Sequence, residues 1–193
     1  MSAGAGRAGA MDLAIRAVRA LSMLGGFCAA ALIAASVGIV CQMVVVRYAL
    51  GQTTIWQTDF VTFALVAATF LGGPYVLMTR GHVNVDVLPL HVGPAARFRL
   101  ALAASALSLL FALVLSWLAC AFWLEAFENN WRSDSMWRAR LWIPYLAMPV
   151  GLVVLSLQML ADLAELLTGR QHPFGLAPGT SVAEAIAVRE TGT

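Results

Sequence analysis

Charged residues divide the chain into four long apolar runs. Arg19 and Arg47 bracket Ala20 to Val46, Asp59 and Arg80 bracket Phe60 to Thr79, Arg99 and Glu125 bracket Leu100 to Leu124, and Arg140 and Asp162 bracket Leu141 to Ala161. A helix rises about 1.5 Å per residue, so about 20 residues cross a hydrocarbon core of roughly 30 Å, and every run reaches that length. Backbone in hydrocarbon must satisfy its own hydrogen bonds, which makes each run a predicted helix. Strands of a membrane barrel would be about ten residues long and alternate in polarity. The pattern therefore predicts an all-α integral membrane protein with four transmembrane helices. A segment 1–19 precedes a four-helix membrane domain, 20–168, with spans at about 20–46, 60–79, 100–124 and 141–161, and a poorly ordered tail, 169–193, follows. Residues 1–10, rich in Gly and Ala, read as a frayed start. The first run exceeds the roughly 7–15 apolar residues of a signal peptide and reads as a retained anchor.

Composition sharpens this picture. Hydrophobic residues make up 61% of the chain and charged residues 11%, with a mean hydropathy of +0.82. Ordinary soluble domains are about 45–50% apolar and about 25% charged. The net charge of +2 is carried by scattered arginines without lysine, which excludes the clustered basic face of a nucleic-acid binder. Near the span ends, Arg7, Arg16, Arg19, Arg80, Arg97, Arg99 and Arg170 fall on one face, and Arg47, Arg132, Arg138 and Arg140 on the other. The richer face is the predicted cytoplasmic one, which places both termini in the cytoplasm. The tryptophans Trp56, Trp117, Trp123, Trp131, Trp137 and Trp142 gather toward the opposite face, where an indole can rest its ring in lipid and its N–H in water.

The runs contain no Asp, Glu, Lys, Arg or His, the groups that mark proton relays and ion paths inside membranes. Gln42, Thr62, Thr69 and Gln158 are their main polar side chains and read as makers of interhelical hydrogen bonds. His82, His91 and His172 lie in loops or the tail, so no axial haem ligand faces another inside a bundle. No His/Cys pair has zinc-ligand spacing, and Cys28, Cys41 and Cys120 read as small apolar side chains. No nucleophile elbow, phosphate loop or metalloprotease motif occurs. The expectation is a non-enzyme with no cofactor of its own.

Small residues recur at spacing four within the spans. Gly26, Ala30, Ala34 and Gly38 form one stripe, Ala64, Ala68 and Gly72 a second, and Ala104, Ser108, Ala112, Ser116 and Cys120 a third. Such stripes let helix backbones approach closely in lipid, either within the bundle or against a partner bundle. Two loops carry most of the remaining chemistry. The second holds Arg80, Gly81, His82 and Asp86, with Gly81 placed to end a helix and His82 and Asp86 four apart. Its alternating Val83, Val85 and Val87 suit an extended run as well as a short helix. The third, from Glu125 to Arg140, mixes Glu125, Glu128 and Asp134 with Arg132, Arg138 and Arg140, flanked by Trp131, Trp137 and Trp142. It suits either docking of a protein outside the membrane or interfacial anchoring.

In order along the chain, several of these pieces resemble the small membrane subunit of tripartite ATP-independent periplasmic (TRAP) transporters, the DctQ family. They are Cys41-Gln42-Met43-Val44-Val45-Val46-Arg47-Tyr48, Trp56 with Asp59, Phe70-Leu71-Gly72, Gly81-His82-Val83-Asn84-Val85-Asp86, Trp142-Ile143-Pro144-Tyr145 and Pro149-Val150-Gly151. The resemblance covers roughly residues 20 to 168, and Gln57-Thr58-Asp59 carries one acid where the family often has two. It implies a multi-pass protein of the bacterial inner membrane, partnered by a large multi-span transport subunit and a periplasmic substrate-binding protein. It further implies that a sodium gradient drives uptake of a carboxylate-type solute by the complex. The competing expectation is a free-standing homo-oligomeric tetraspan protein or channel.

Overall fold

The computed structural model describes residues 3–79 and 94–168, which form five helices. They are α1 (Ala3–Ala49), α2 (Trp56–Met78), α3 (Pro94–Glu128), α4 (Trp142–Tyr145) and α5 (Ala147–Leu167). Four stretches are long and apolar enough to cross a membrane: Asp12–Ala49, Trp56–Met78, Phe98–Glu128 and the α4–α5 unit Trp142–Leu167. The helices outrun the uncharged runs that announced them. Charges mark where a helix leaves hydrocarbon, whereas its hydrogen bonding continues into the interface. Residues 3–10 of the segment that read as a frayed start supply the first turns of α1, and α5 carries Asp162 and Glu165 within its last turns.

The break between α4 and α5 comes from two prolines. Pro144 and Pro149 have no N–H to donate one turn back, so the ladder is interrupted there. Leu146, between the two helices, donates to both Trp142 and Ile143 at 3.2 and 3.3 Å, and the chain keeps right-handed dihedrals through the break.

Packing follows an inside-out rule. Most of the buried residues are small: Ala29, Ala64, Ala67, Ala68, Ala112 and Ala119 among the apolar ones, and Ser22, Ser36, Ser116 and Ser156 among the polar ones. Large apolar side chains such as Phe27, Leu107, Phe111 and Trp117 point outward. Lipid tails are as apolar as leucine, so burial of bulk gains little and close backbone approach gains most. Helix α5 is the hub, packing against α1, α2 and α3, while α3 lies outside the α1–α2 hairpin and meets the bundle through α5 and α4.

The seam on α1 has a period of seven. Ile15, Ser22, Ala29 and Ser36 are buried, with Val18, Gly25, Leu32 and Ile39 half-buried between them. A step of seven drifts only about 20° around a helix. A step of four drifts about 40°, so a stripe of four residues winds off the contact face. That is why Gly26 meets Tyr75 while Ala30, Ala34 and Gly38 of the same stripe are exposed. The third stripe behaves the same way: Ala112 and Ser116 are buried against the bundle, and Ala104 and Ser108 are exposed. Ala64 and Ala68 are buried, and Gly72 approaches Ala29.

Two glycines fix the closest approaches. A Cβ at Gly25 would sit 2.5 Å from the carbonyl oxygen of Leu71, and one at Gly151 would overlap the carbonyl of Phe70. Backbone cannot yield as a side-chain tip does, so Gly151→Ala should destabilise the bundle by about 1–3 kcal/mol, the usual cost of overpacking. Gly38 has nothing within 4 Å of its Cβ position, so Gly38→Ala should be neutral or stabilising by up to about 1 kcal/mol through helix propensity. Detergent-titrated unfolding of the two variants checks the opposite signs.

Candidate functional site

The helices place polar and aromatic chemistry at two ends. At the end bearing the 50–55 and 129–141 connections, α3 stops in a Schellman motif. Asn130 takes φ +49°, its N–H reaching Phe127 at 3.2 Å, and Trp131 N–H reaches Ala126 at 3.1 Å. The chain then doubles back as a hairpin, with Ser133 N–H on Ala139 at 2.9 Å, Leu141 N–H on Trp131 at 3.0 Å, and an antiparallel bridge between Arg132 and Arg140. Arg138 turns the hairpin at φ +50°.

Asp59 holds this hairpin to the bundle. It sits in the first turn of α2, where a carboxylate also faces the positive end of the helix dipole. The hydroxyls of Ser133 and Ser135 both donate to its Oδ2, the former at 3.2 Å. Aromatic rings complete the attachment. Trp56 lies 6.4 Å from Trp137, Phe122 contacts Trp131 and Tyr145, and Phe127 stands edge-on to Trp142 at 5.5 Å. Trp123 Nε1–H donates to the Trp142 carbonyl at 2.9 Å. Trp131 and Trp142 are thus half-buried in this cluster, whereas Trp137 and the side chains of Arg132, Arg138 and Arg140 are exposed, with no ion pair from the three arginines among the described residues.

The same end contains a half-open cleft of about 570 Å³ between α1, α2, α4 and the hairpin. Gln57, one turn before Phe60 on α2, is 5% exposed, and its Oε1 has no hydrogen-bond partner.

Toward the opposite end, α5 carries Gln158 and Glu165, both buried and continuing at a spacing of seven from the buried Gly151 in mid-bundle. One Nη2 of Arg19 donates to both oxygens of Glu165, at 2.8 and 2.9 Å. Ser22 Oγ donates to Gln158 Oε1 at 3.1 Å, and Gln158 Nε2 donates to Asp162 at 3.0 Å. This ladder ties α1 to α5 and explains why Gln158, the largest fully buried side chain, is tolerated. By contrast Gln42 is exposed, and Thr62 and Thr69 bond back to the carbonyls of Thr58 and Leu65 in their own helix. Of the predicted interhelical polar contacts, Gln158 makes one.

Arg80, Gly81, His82 and Asp86 lie outside the described residues, as do all three histidines. Cys28 and Cys41 are exposed and Cys120 is half-buried, each a free thiol. Among the described residues no cluster of three or more His, Cys, Asp or Glu side chains has the geometry to hold a metal ion. Sequence reasoning passed over Gly25, Gly151, Asp59 with its two serines, and the Arg19–Glu165 pair as site residues. A period-seven count finds Gly25 on α1 and Gly151 and Glu165 on α5, whereas Arg19 lies beside the α1 seam and outside its register. The Asp59 contacts span the fold and have no local signal.

Four apolar spans with their polar side chains gathered at the ends define a multi-pass helical membrane protein. Residues 36–169 match the family described as tripartite ATP-independent periplasmic transporters, DctQ component, and the chain belongs to that family. It is thereby a small membrane subunit of a TRAP transporter, one component of a tripartite assembly. No curated protein and no solved structure matches the chain. The matched region takes in the hairpin, Asp59 and Gly151, and begins after Arg19, Ser22 and Gly25.

Asp59→Ala removes the acceptor of both serines. Trypsin should then cleave after Arg132, Arg138 and Arg140 faster than in the parent chain, with Asp59→Asn intermediate; unchanged cleavage would mean that backbone bonds and rings alone hold the hairpin. At the other end, a double-mutant cycle between Arg19→Ala and Glu165→Ala should give a coupling of about 0.5–3 kcal/mol in unfolding, as expected of contacting groups.

Proposed function

We propose that this chain braces the large multi-span subunit of its transporter in the bacterial inner membrane, with both termini in the cytoplasm and the aromatic end toward the periplasm. Family membership carries this reading. Two further features support it. The buried polar side chains of the terminal end bind one another, which leaves them to fix helices and not to line a path. The exposed small residues Ala30, Ala34, Gly38, Ala104 and Ser108 offer close-approach surface that the chain's own bundle does not use.

The hairpin 129–141 is the surface we assign to the periplasmic binding protein, with Arg132 as its contact and Trp131 and Trp142 anchoring it at the membrane interface. The large subunit moves a carboxylate-type solute inward on a sodium gradient, and this chain contributes no catalytic group or cofactor. Arg80, Gly81, His82 and Asp86 are assigned to assembly at the cytoplasmic face.

Affinity purification of the tagged chain in mild detergent, with mass spectrometry of what accompanies it, tests the bracing role. A larger multi-span protein should be recovered at near-equal amount, and Gly38→Leu should weaken that recovery while leaving the chain folded. Recovery of this chain alone as a defined oligomer would favour a free-standing tetraspan protein. Ala112→Phe is unsuited to this test, because Ala112 is 3% exposed and its replacement disturbs the chain's own α3–α5 contact. Arg132→Glu should reduce uptake with the membrane complex intact; loss of the complex would assign the hairpin to anchoring.

A further inference from the structure

The cleft beside the hairpin joins two chemistries that the bundle itself does not bring together. Its walls are apolar: Phe60 and Phe63 from α2, Leu32 from α1, and Ile143 and Pro144 from the α4 turn. Its rim is cationic, formed where Arg138 and Arg140 leave the hairpin. Neither arginine has an acidic partner among the described residues. Its volume of about 570 Å³ is on the scale of small-molecule sites, which run from about 300 to 1,000 Å³. The rim lies beside the Trp56–Trp137 pair, and tryptophans settle at the depth of lipid headgroups.

We propose that this cleft binds one anionic phospholipid, with an acyl chain along Phe60, Phe63 and Ile143 and the phosphodiester held by Arg138 and Arg140. An apolar helix laid in the same cleft would fill the walls and leave two guanidinium groups without a counter-charge beside hydrocarbon. A free phosphate or a soluble carboxylate would satisfy the arginines and leave the walls wet. A phospholipid with net negative charge satisfies both at once. Guanidinium is also suited to the task, since its planar fork matches phosphate oxygens and it sheds water more readily than an ammonium.

This inference is independent of the transport reading, because it needs only the chain in a bilayer or micelle. The experiment is native mass spectrometry of the purified full chain, and of any complex that co-purifies, with added palmitoyl-oleoyl phosphatidylglycerol or the corresponding phosphatidylcholine. The chain should retain one phosphatidylglycerol in preference to phosphatidylcholine by roughly five- to thirtyfold, about fivefold for each arginine near a membrane surface. The double variant Arg138→Ala/Arg140→Ala should bind the two lipids equally while keeping the parent's helical signal and unfolding midpoint. Ile143→Trp, at a side chain 57% exposed on the cleft wall, should lower retention of both lipids by filling the trough. Equal retention of the two lipids by the parent chain would overturn the proposal, as would preference for phosphatidylglycerol surviving in the double arginine variant. Loss of the adduct in a complex, when the isolated chain keeps it, would assign the cleft to the partner instead.

Discussion

Everything in this bundle is arranged around two adjacent carbonyls on α2, those of Phe70 and Leu71, each met by a glycine of a different helix. Gly25 brings α1 onto Leu71, and Gly151 brings α5 onto Phe70. In lipid, apolar bulk has no reason to leave the surface, so association depends on how near two backbones can come. A clamp on successive residues from two sides fixes the position of α2 along its axis as well as its distance from both neighbours. The remaining contacts follow from that register. Gly72 falls opposite Ala29, Tyr75 opposite Gly26, and Thr58 reaches Met43 one end further on. Two of the fragments that carry the family resemblance, Phe70-Leu71-Gly72 and Pro149-Val150-Gly151, are therefore one contact seen from its two sides.

With the middle held by backbone contact, the ends are held by polar groups. A hydrogen bond between membrane helices is worth on average about 0.6 kcal/mol, because the separated helices also find partners. The Arg19–Glu165 and Ser22–Gln158–Asp162 contacts are therefore better understood as choosing which faces meet than as the main source of stability. Gln158 finds Ser22 on α1 and Asp162 one turn on in α5, and of these only Ser22 ties it to another helix. Asp59 does the equivalent work at the other end, where two serine hydroxyls reach it from a hairpin some seventy residues away in sequence.

The spans were legible because hydrocarbon imposes a length, and the four charge-free runs announced four helices directly. Helix ends were less so. Asp162 read as the boundary of the fourth span, yet α5 continues through it and through Glu165, because a charge that faces a partner, as Glu165 faces Arg19, can remain in the helix. The small-residue stripes were visible, but a spacing of four identified the right residue types on only part of the right face. Gly26, Ala112 and Ser116 meet the bundle, whereas Ala30, Ala34 and Ala104 turn away from it. Spacing of seven, present in the same sequence, carries the actual seam. The aromatic gathering toward one end was evident from the tryptophan positions alone. Its division of labour was not, since only the fold shows Trp131 and Trp142 among other rings and Trp137 at the open edge of a cleft.

The two ends differ in a way that bears on what each can still do. At the terminal end the buried polar atoms of the described residues find partners within the chain, and the buried carboxylate of Glu165 is met by the guanidinium of Arg19, whose side chain stays exposed. At the aromatic end the accounting is incomplete: Gln57 Oε1 is buried without a donor, and Arg132, Arg138 and Arg140 have no counter-charge among the described residues. Buried carbonyl oxygens are normally satisfied, and each exception calls for an explanation. Exposed arginines need none when they face water. Arginines on the rim of an apolar trough differ, because lowering the local dielectric strengthens their attraction for any anion that arrives with hydrocarbon attached. Among the described residues, the unmet chemistry thus lies at one end, at the level of the tryptophans, where the proposed lipid and docking contacts would fall.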